Sequence, residues 1–308
     1  MFSLYSAIWR VSGRRQIVLI LLSIAIAALA AVPLSFQKDI INALTSGDLK
    51  PDVLMRLCAG MILMILLSLA LKWLLGYRVS ILGEDVIRLL RNRIYSGTVQ
   101  DRIDGKDSIP TGTLATVISA ESEELGKFTG SAFSEPVVQI GTLISVIGYI
   151  ASTQPLLGGI ALLMIAPQIV LVFLTQAPVN RLVAERVRVL RHSTNLITAT
   201  QADDLVGEVL ENFDTIYEVR RRIFVWKLST KFLLSSINGV GTVAVLLLGG
   251  FMVIQGRTDV GTVVAATIGL GRLQGPTAFL IAFYRQVSAT RVKFELLRGI
   301  RPASISPP

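Results

Sequence analysis

The stretch that decides the fold runs LMRLCAGMILMILLSLALKWLL over Leu54–Leu75 and continues GYRVSILGEDVIRLLRNRI over Gly76–Ile94. Its first part is apolar over about 20 residues, the length that an α-helix needs to cross a hydrocarbon core of about 30 Å. Its second part spaces apolar residues three and four positions apart, with arginines between them, as in an amphipathic helix. No proline separates the two parts. The sequence therefore predicts one helix that crosses a membrane and projects beyond it.

Five further stretches are apolar enough to be membrane spans. The 308-residue chain is 52% hydrophobic, and its mean hydropathy of +0.63 exceeds that of ordinary soluble domains. The interpretation of the short third span and of the sixth, which contains Arg272, depends partly on their neighbours. We therefore predict an all-α membrane protein with six long transmembrane helices, of which the other five are Gln16–Phe36, Pro136–Ala151, Leu157–Leu174, Leu234–Ile254 and Val263–Phe283.

The basic residues indicate which connections face the cytoplasm. Arg10, Arg14 and Arg15 precede the first span, and the second and fourth connections are rich in Arg and Lys. Cytoplasmic connections carry an excess of these residues, so both termini and both long connections are predicted to be cytoplasmic. The net charge of +9 thus reflects membrane topology. We expect a protein of the cell membrane that contacts lipid and does not bind nucleic acid.

Both long connections are predicted to form pairs of helical legs. In the first, the helical pattern is interrupted at Ile109–Gly112 and resumes over Leu114–Leu125. In the second, apolar residues recur at helical spacing from Val183 to Leu190 and again from Val206 to Tyr217. A leg of about 20 to 25 residues projects roughly 30 to 37 Å. The two connections are therefore expected to form cytoplasmic stalks.

Two segments resemble sequence patterns of ABC exporter transmembrane domains. The run GRTDVGTVVA over Gly256–Ala265, with Gly275 and Pro276 after it, is similar to the outer turn and sixth helix of that family. Asp259 stands where Ser or Thr is usual. The run GEVLENFDTIY over Gly207–Tyr217 resembles the second intracellular loop, with Tyr217 in place of a basic residue.

Two more segments extend this resemblance over essentially the whole chain. The run PTGTLATVI over Pro110–Ile118 is similar to the first intracellular loop, with Glu121 one place later than the usual acidic residue. The run FYRQVSATRVKFELL over Phe283–Leu297 is similar to the exit of helix six. The resemblance implies an exporter-type transmembrane domain over residues 1–301, followed by a polar, proline-rich tail over 302–308.

The sequence contains no motif that cradles nucleotide phosphates. A P-loop would read G-x-x-x-x-G-K-(S/T), but Lys106 is followed by Asp107 and Lys127 by Phe128. An LSGGQ-like motif is also missing. We therefore predict no catalytic site and no bound cofactor in this chain. The resemblance implies that ATP and Mg²⁺ bind a nucleotide-binding subunit, so the chain is interpreted as a permease subunit or as a fragment cut after helix six.

The resemblance also implies partners and contact residues. Exporters of this type pair two transmembrane domains, in a homodimer or heterodimer, and short coupling helices at the stalk tips dock on ABC ATPase subunits. The tips fall near residues 102–108 and 198–206. The alternative is that these polar tips are solvated helix ends. The coupling candidates are Arg102, Asp104, Asp107, Thr198, Asp203, Asp204 and Val206.

Polar residues inside the predicted spans are the candidates for substrate contact or gating. Arg272 lies near the middle of span six, where an ionisable group is costly and suggests a function. It could instead pair with a neighbouring polar group or face a water-filled vestibule without touching substrate. Amide side chains in spans either line a cavity or join helices by hydrogen bonds. The candidates are Arg272, Gln274, Gln168 and Asn238, and Pro33, Pro167 and Pro276 are expected to kink their helices.

The function expected from these features is that of a permease subunit of an ATP-driven transporter, an exporter by resemblance. It would couple ATP hydrolysis on a separate nucleotide-binding chain to substrate translocation. One alternative is a non-transporting scaffold or regulatory subunit with a degenerate form of the same fold. An ATP-independent channel is a second alternative, but it leaves the two stalks without a purpose. The sequence does not identify the substrate.

Overall fold

The computed structural model describes residues 2–46, 50–103, 114–115, 117–199 and 206–299. These residues are almost wholly helical and contain no strand, which confirms the all-α fold class. The helices are α1 (Phe2–Leu29), α2 (Val32–Thr45), α3 (Pro51–Ile103), α4 (Ser122–Ser131), α5 (Ser134–Thr153), α6 (Pro155–Ala199), α7 (Val206–Ile254) and α8 (Val260–Gly299), with a π-helical turn over Val117–Glu121 before α4.

Each predicted span lies within one of these helices or, for the first span, within a pair of them. Five helical stretches of the described chain are long and apolar enough to cross a membrane: Ser3–Thr45, Pro51–Gln100, Val117–Thr153, Pro155–Leu190 and Val209–Ile254. The sixth predicted span forms the first half of α8. It is less apolar than the other five because Arg272 and Gln274 stand in its middle.

The four longest helices extend well past a bilayer. The helix α3 has 53 residues, α6 has 45, α7 has 49 and α8 has 40. At 1.5 Å per residue these helices are about 60 to 80 Å long, roughly twice the thickness of a hydrocarbon core. The continuous helix predicted from Leu54 through Ile94 is thus present. The helices also continue through Pro167 and Pro276 without interruption.

Proline sets where several helices begin. Pro51 and Pro155 are the first residues of α3 and α6, a position where the missing proline N–H costs no hydrogen bond. Pro33 lies in the first turn of α2, and Pro136 in that of α5. The connection between α5 and α6 is a single extended residue, Gln154. Its N–H donates to the carbonyl of Ile150 at 2.9 Å.

The structure corrects two local predictions. The first span is not one kinked helix, because the chain leaves the helix at Ala30 and Ala31. The leg expected over Leu114–Leu125 is also irregular, since it contains the π-helical turn and is separated from α5 by a turn at Ala132 and Phe133. A proline at position i cannot donate to the carbonyl at i−4, so Pro33 and Pro136 weaken the preceding turns at these points.

Three apolar clusters hold the helices together. The largest joins α2, α5, α6, α7 and α8 around Leu34, Val146, Leu157 and Leu270. A second joins α1 to α3 through Leu19, Ile26, Leu75, Leu82 and Val86. A third joins α1, α4 and α8 at the end predicted to be cytoplasmic, where the Phe128 ring stacks on Phe283 with centroids 5.9 Å apart. The clusters fix the helices at both ends of the bundle.

Candidate functional site

Arg272 contacts the break in the first span. Its guanidinium Nη1 donates a hydrogen bond to the backbone carbonyl of Ala30 at 3.2 Å, and the residue is half-buried. The structure therefore shows that Arg272 pairs with a neighbouring polar group, one of the interpretations made from sequence. A contact with substrate or a gating role stays a prediction.

The break explains why the Ala30 carbonyl needs this donor. In a continuous helix the N–H of Leu34 would bond to Ala30, but here it donates to Ala31 at 2.9 Å. The Ala30 carbonyl is thereby left at the carboxyl end of α1 without an intrahelical donor. A cation at this end of a helix also interacts favourably with the helix dipole. Arg272 thus satisfies a polar group that the break exposes inside the bundle.

The other three span candidates lie elsewhere. The Asn238 side chain on α7 donates to Gln274 Oε1 on α8 at 3.3 Å, so this pair joins two helices. Gln168 on α6 is buried, with 4% of its surface exposed. Within the described residues no hydrogen bond connects Gln168 to Arg272 or to the Asn238–Gln274 pair. Asn238 and Gln274 thus form one interhelical pair, whereas Arg272 bonds to the end of α1.

The carboxyl end of α2 and the amino end of α8 are joined by close contacts that the sequence did not reveal. The Gly261 N–H donates to Asn42 Oδ1 at 2.8 Å. A Cβ atom at Gly261 would lie only 2.3 Å from the Lys38 carbonyl oxygen, so this close approach requires glycine. Nothing in the pattern around Asn42 indicates this partner, because 219 residues separate the two in the chain.

Asp259 is the N-cap of α8. Its carboxylate accepts hydrogen bonds from the Thr262 N–H at 2.7 Å and from the Thr262 hydroxyl at 2.9 Å. Ser, Thr and Asp all cap helix N-termini well, so the departure noted from sequence preserves the physical role. Burial by itself raises the pKa of Asp259, but hydrogen bonds from Asn42 and Thr262 outweigh it, and the pKa lies below its ordinary value.

We expect Asp259→Ala to destabilise the protein by about 0.5 to 2 kcal/mol at neutral pH, because the cap is lost. Asp259→Ser keeps the cap and should lie close to the unchanged protein. Since the folded pKa is depressed, the contribution of Asp259 is complete above its unfolded pKa of about 3.9 and is lost as the pH falls through the folded value. Thermal unfolding in detergent at pH 7 and in acid measures this. An Ala variant equally destabilised at both pH values contradicts it.

Glycines allow α3 and α4 to touch at the backbone on the predicted cytoplasmic side. A Cβ atom at Gly130 would lie 2.4 Å from the Val79 carbonyl oxygen, and one at Gly126 would lie 2.2 Å from Ile87 Cγ1. The buried Gln16 side chain, on α1, donates to the Thr129 carbonyl at 2.8 Å. These contacts bind the return leg of the first stalk to its outgoing leg and to α1.

Ion pairs add polar contacts around the same leg. Lys293 on α8 pairs with Glu124, and Arg91 Nε on α3 donates to the Ile118 carbonyl at 3.0 Å. The Glu123 carboxylate lies 2.5 Å from Lys127 Nζ, and the hydrogen bond from Lys127 holds the pKa of Glu123 below its ordinary value. These contacts connect the stalk to the exit of the sixth helix.

Most of the coupling candidates lie outside the described residues. This applies to Asp104, Asp107, Asp203 and Asp204. Arg102 is near the end of α3, Thr198 near the end of α6, and Val206 is the first residue of α7. Their docking role stays a prediction.

The stripe of Val206, Val209 and Phe213 next to the second tip was expected to hold that tip rigid. Val209 is half-buried and Phe213 is 45% exposed, and the apolar side chains beside them, Leu210 and Tyr217, are 57% and 67% exposed. The buried side of this leg instead carries Val219 and Ile223. Leu210, Phe213 and Tyr217 are thus available to another surface.

Comparison with protein-family models agrees with this architecture. Residues 16–277 match the model of the ABC transporter transmembrane region. The chain belongs to the ABC transporter transmembrane family. The match includes both stalk segments, the latch at Gly261 and Arg272 of this ABC transporter transmembrane domain. Comparison with curated proteins gave no significant match.

Proposed function

We propose that this ABC transporter transmembrane domain is the permease subunit of an ATP-driven exporter. ATP hydrolysis on a separate nucleotide-binding chain would drive the stalks, and the stalks would switch the bundle between inward-facing and outward-facing states. The observation that carries the proposal is the continuity of α3, α6 and α7 from the apolar spans into the stalks. A continuous helix transmits displacement along its length, so force applied to a stalk reaches the spans.

Exposed apolar side chains support a second transmembrane domain and an ATPase as partners. Leu210, Phe213 and Tyr217 lie more than 15 residues before the predicted fifth span and are exposed. Phe224, on the same helix, is 52% exposed. Lipid covers such residues inside a bilayer, but outside it large exposed apolar surfaces are typical of protein interfaces. The face of α7 that carries these four side chains is therefore proposed to be covered in the assembled transporter.

Arg272 is proposed to act in gating. It connects α8 to the point where α1 ends, and the Asn238–Gln274 pair connects α8 to α7. If α8 changed its position, both hydrogen bonds would have to break, or the parts of α1 and α7 that they reach would have to move with α8. Substrate would then be recognised between the helices, with Gln168 as a further polar group in reach of the bundle interior.

In the proposed orientation both termini lie in the cytoplasm. Ser46 then lies on the opposite side of the membrane. Cys58 is the single cysteine of the chain, so Cys58→Ser gives a background without thiols. We expect Ser46→Cys to react with an impermeant maleimide added to intact cells, and Ser108→Cys to react only after permeabilisation. The measurement is labelling of each variant before and after permeabilisation. Reaction of both positions from the same side would refute the orientation.

The ATP coupling is tested by comparing the chain alone with its complex. The isolated chain, purified from a strain that lacks contaminating ATPases, should show no ATP turnover, because it has no P-loop. The complex purified in mild detergent through a tag on this chain should hydrolyse ATP, and vanadate should inhibit it. A complex that contains the ATPase but hydrolyses ATP at a rate independent of this chain would favour the scaffold alternative. Turnover by the isolated chain would show that it has a nucleotide site other than a P-loop.

A further inference from the structure

A π-helical turn interrupts the return leg of the first stalk. It covers Val117–Glu121 and leads directly into α4. The backbone hydrogen bonds of such a turn join residues five apart, whereas those of an α-helix join residues four apart. π-Helical turns are rare inside helices and often lie at functional sites. A backbone of this kind persists where the groups around it hold it in place.

Ser122 bridges the two ends of the turn. Its hydroxyl donates to the Val117 carbonyl at 2.8 Å, five residues earlier in the chain. Hydroxyls in the α-helical parts of both legs reach back four residues, as Thr98 does in α3 and Thr129 in α4. Ser122 is fully buried and Val117 is 2% exposed, so both ends of the turn are packed against the protein. Ser122 therefore favours the wider spacing at this point.

Arg91 on α3 holds the same turn from the side. Its Nε donates to the Ile118 carbonyl at 3.0 Å, across 27 residues of sequence. Its Nη2 lies 3.9 Å from the Glu123 carboxylate, in the first turn of α4. A hydrogen bond from a charged donor is stronger than one between neutral groups, and the planar guanidinium fixes the direction of both contacts. Arg91 therefore constrains the rotation of the turn as well as its distance from α3.

Arg91 continues a line of contacts between the two legs. Residues four positions apart lie on one face of a helix, and the line on α3 comprises Val79, Gly83, Ile87 and Arg91. The first three lie against Gly126 and Gly130 of α4, where the absence of side chains allows the backbones to approach closely. The glycines thus fix α4 on α3. Arg91 acts beyond them, on the part of the return leg that connects α4 to the predicted tip.

We propose that Arg91 is the positioning residue of the first stalk. It holds the π-helical turn and thereby sets the rotation of the segment that leads to the predicted tip at residues 102–108. Without this clamp the turn relaxes to α-helical spacing, which rotates the residues on its tip side by up to about 100°, the angle that one residue occupies in an α-helix. The docking face of the tip then turns away from its partner. That the partner is an ATPase rests on the proposed function, whereas the register of the turn does not.

The distance between two spin labels reports this register directly. Cys58→Ser provides the background, and Tyr95→Cys on α3 and Ala115→Cys on the tip side of the turn carry the labels at exposed positions. A rotation of about 100° on a helix about 10 to 12 Å across moves a side chain by about 8 Å. We expect one narrow distance distribution in the otherwise unchanged chain. In Arg91→Gln the distribution should shift or broaden by about 4 to 8 Å.

Three controls separate the clamp from other effects. Arg88→Gln removes the same charge from an exposed position of the same helix and should leave the distance unchanged. Arg91→Lys keeps the charge but not the planar fork, so its distribution should lie between those of the unchanged chain and Arg91→Gln. A second label pair, Ser80→Cys/Ser131→Cys, spans the legs near the contact of Val79 with Gly130 and should keep its distance in every variant.

ATP turnover tests whether the register positions the tip. In the complex purified through a tag on this chain, Arg91→Gln should lower turnover about tenfold, the size of effect expected of a residue that couples two sites without touching either ligand. Turnover should be unchanged in Arg88→Gln and intermediate in Arg91→Lys.

Four results would overturn the proposal. An unchanged distance in Arg91→Gln shows that the turn keeps its register without the clamp, and an equal shift in Arg88→Gln shows a general effect of charge. A shift at both label pairs shows that Arg91 supports the packing of the whole leg. A changed register with unaltered turnover shows that this turn does not position the tip. If the unchanged chain recovers no ATPase, the proposed function fails, and the label distances still decide whether Arg91 sets the register.

Discussion

Gly130→Ala is expected to destabilise the folded chain strongly. The added Cβ would lie 2.4 Å from the carbonyl oxygen of Val79, a backbone atom that cannot move without shifting α3. Overpacking of this kind costs about 1 to 3 kcal/mol and more where the backbone must move. Gly130→Leu should prevent α3 and α4 from packing at all. The measurement is thermal unfolding in detergent, followed by circular dichroism.

Gly76→Ala is the matched control. Gly76 also lies in α3, but a Cβ atom there meets nothing within 4 Å. Alanine favours a helix over glycine by up to about 1 kcal/mol, so this variant should be as stable as the unchanged protein or more so. If Gly130→Ala and Gly76→Ala unfold at the same temperature, the close packing of α3 on α4 does not contribute to stability.

Asp203→Lys/Asp204→Lys is expected to uncouple the transporter. The two aspartates lie between the end of α6 and the start of α7, where the family resemblance places a coupling helix. A charged contact broken at one partner costs about 2 to 5 kcal/mol when it is buried in an interface. We therefore expect loss of the co-purified ATPase and of substrate-stimulated ATP turnover. Membrane insertion should be unchanged, because the residues lie outside the spans.

The matched control reverses two acids on the exposed flank of the same leg. Glu211→Lys/Asp214→Lys makes the same change in net charge, and both residues are exposed. If this control reduces ATPase recovery as much as the tip variant, the effect reflects charge in general. If neither variant changes assembly or turnover, the tip is a solvated helix end and the scaffold alternative gains support.

The long helices were predictable because their signal is local. The run from Leu54 to Ile94 is a helix by its spacing alone, and the structure places all of it in α3. The sixth span was predicted from Val263, and its helix begins three residues earlier at Val260, where the Asp259 side chain caps it through Thr262. Both features depend on residues a few positions apart, and sequence patterns report such distances directly.

The contacts between helices were not predictable from one sequence. Arg272 stood out as an ion in a span, but its acceptor is 242 residues away and exists only because α1 ends at Leu29. Pro33 indicated a disturbance of the first span, yet its effect appears three residues earlier, because the missing N–H acts on the preceding turn. No sequence pattern around Gly126 and Gly130 indicates that they contact Ile87 and Val79.

The break at Ala30 and Ala31 divides the first span into two helices with different packing partners. The helix α1 packs on α3 and α5, whereas α2 packs on α3 and α8 and is fastened to α8 through Asn42 and Gly261. A displacement of α8 therefore acts on α2 through this packing, whereas it acts on the end of α1 through the single hydrogen bond from Arg272 to the Ala30 carbonyl. We expect the α2 half of this span to follow the sixth helix while the α1 half stays packed on α3 and α5, so that Ala30–Ala31 acts as a swivel within the first span.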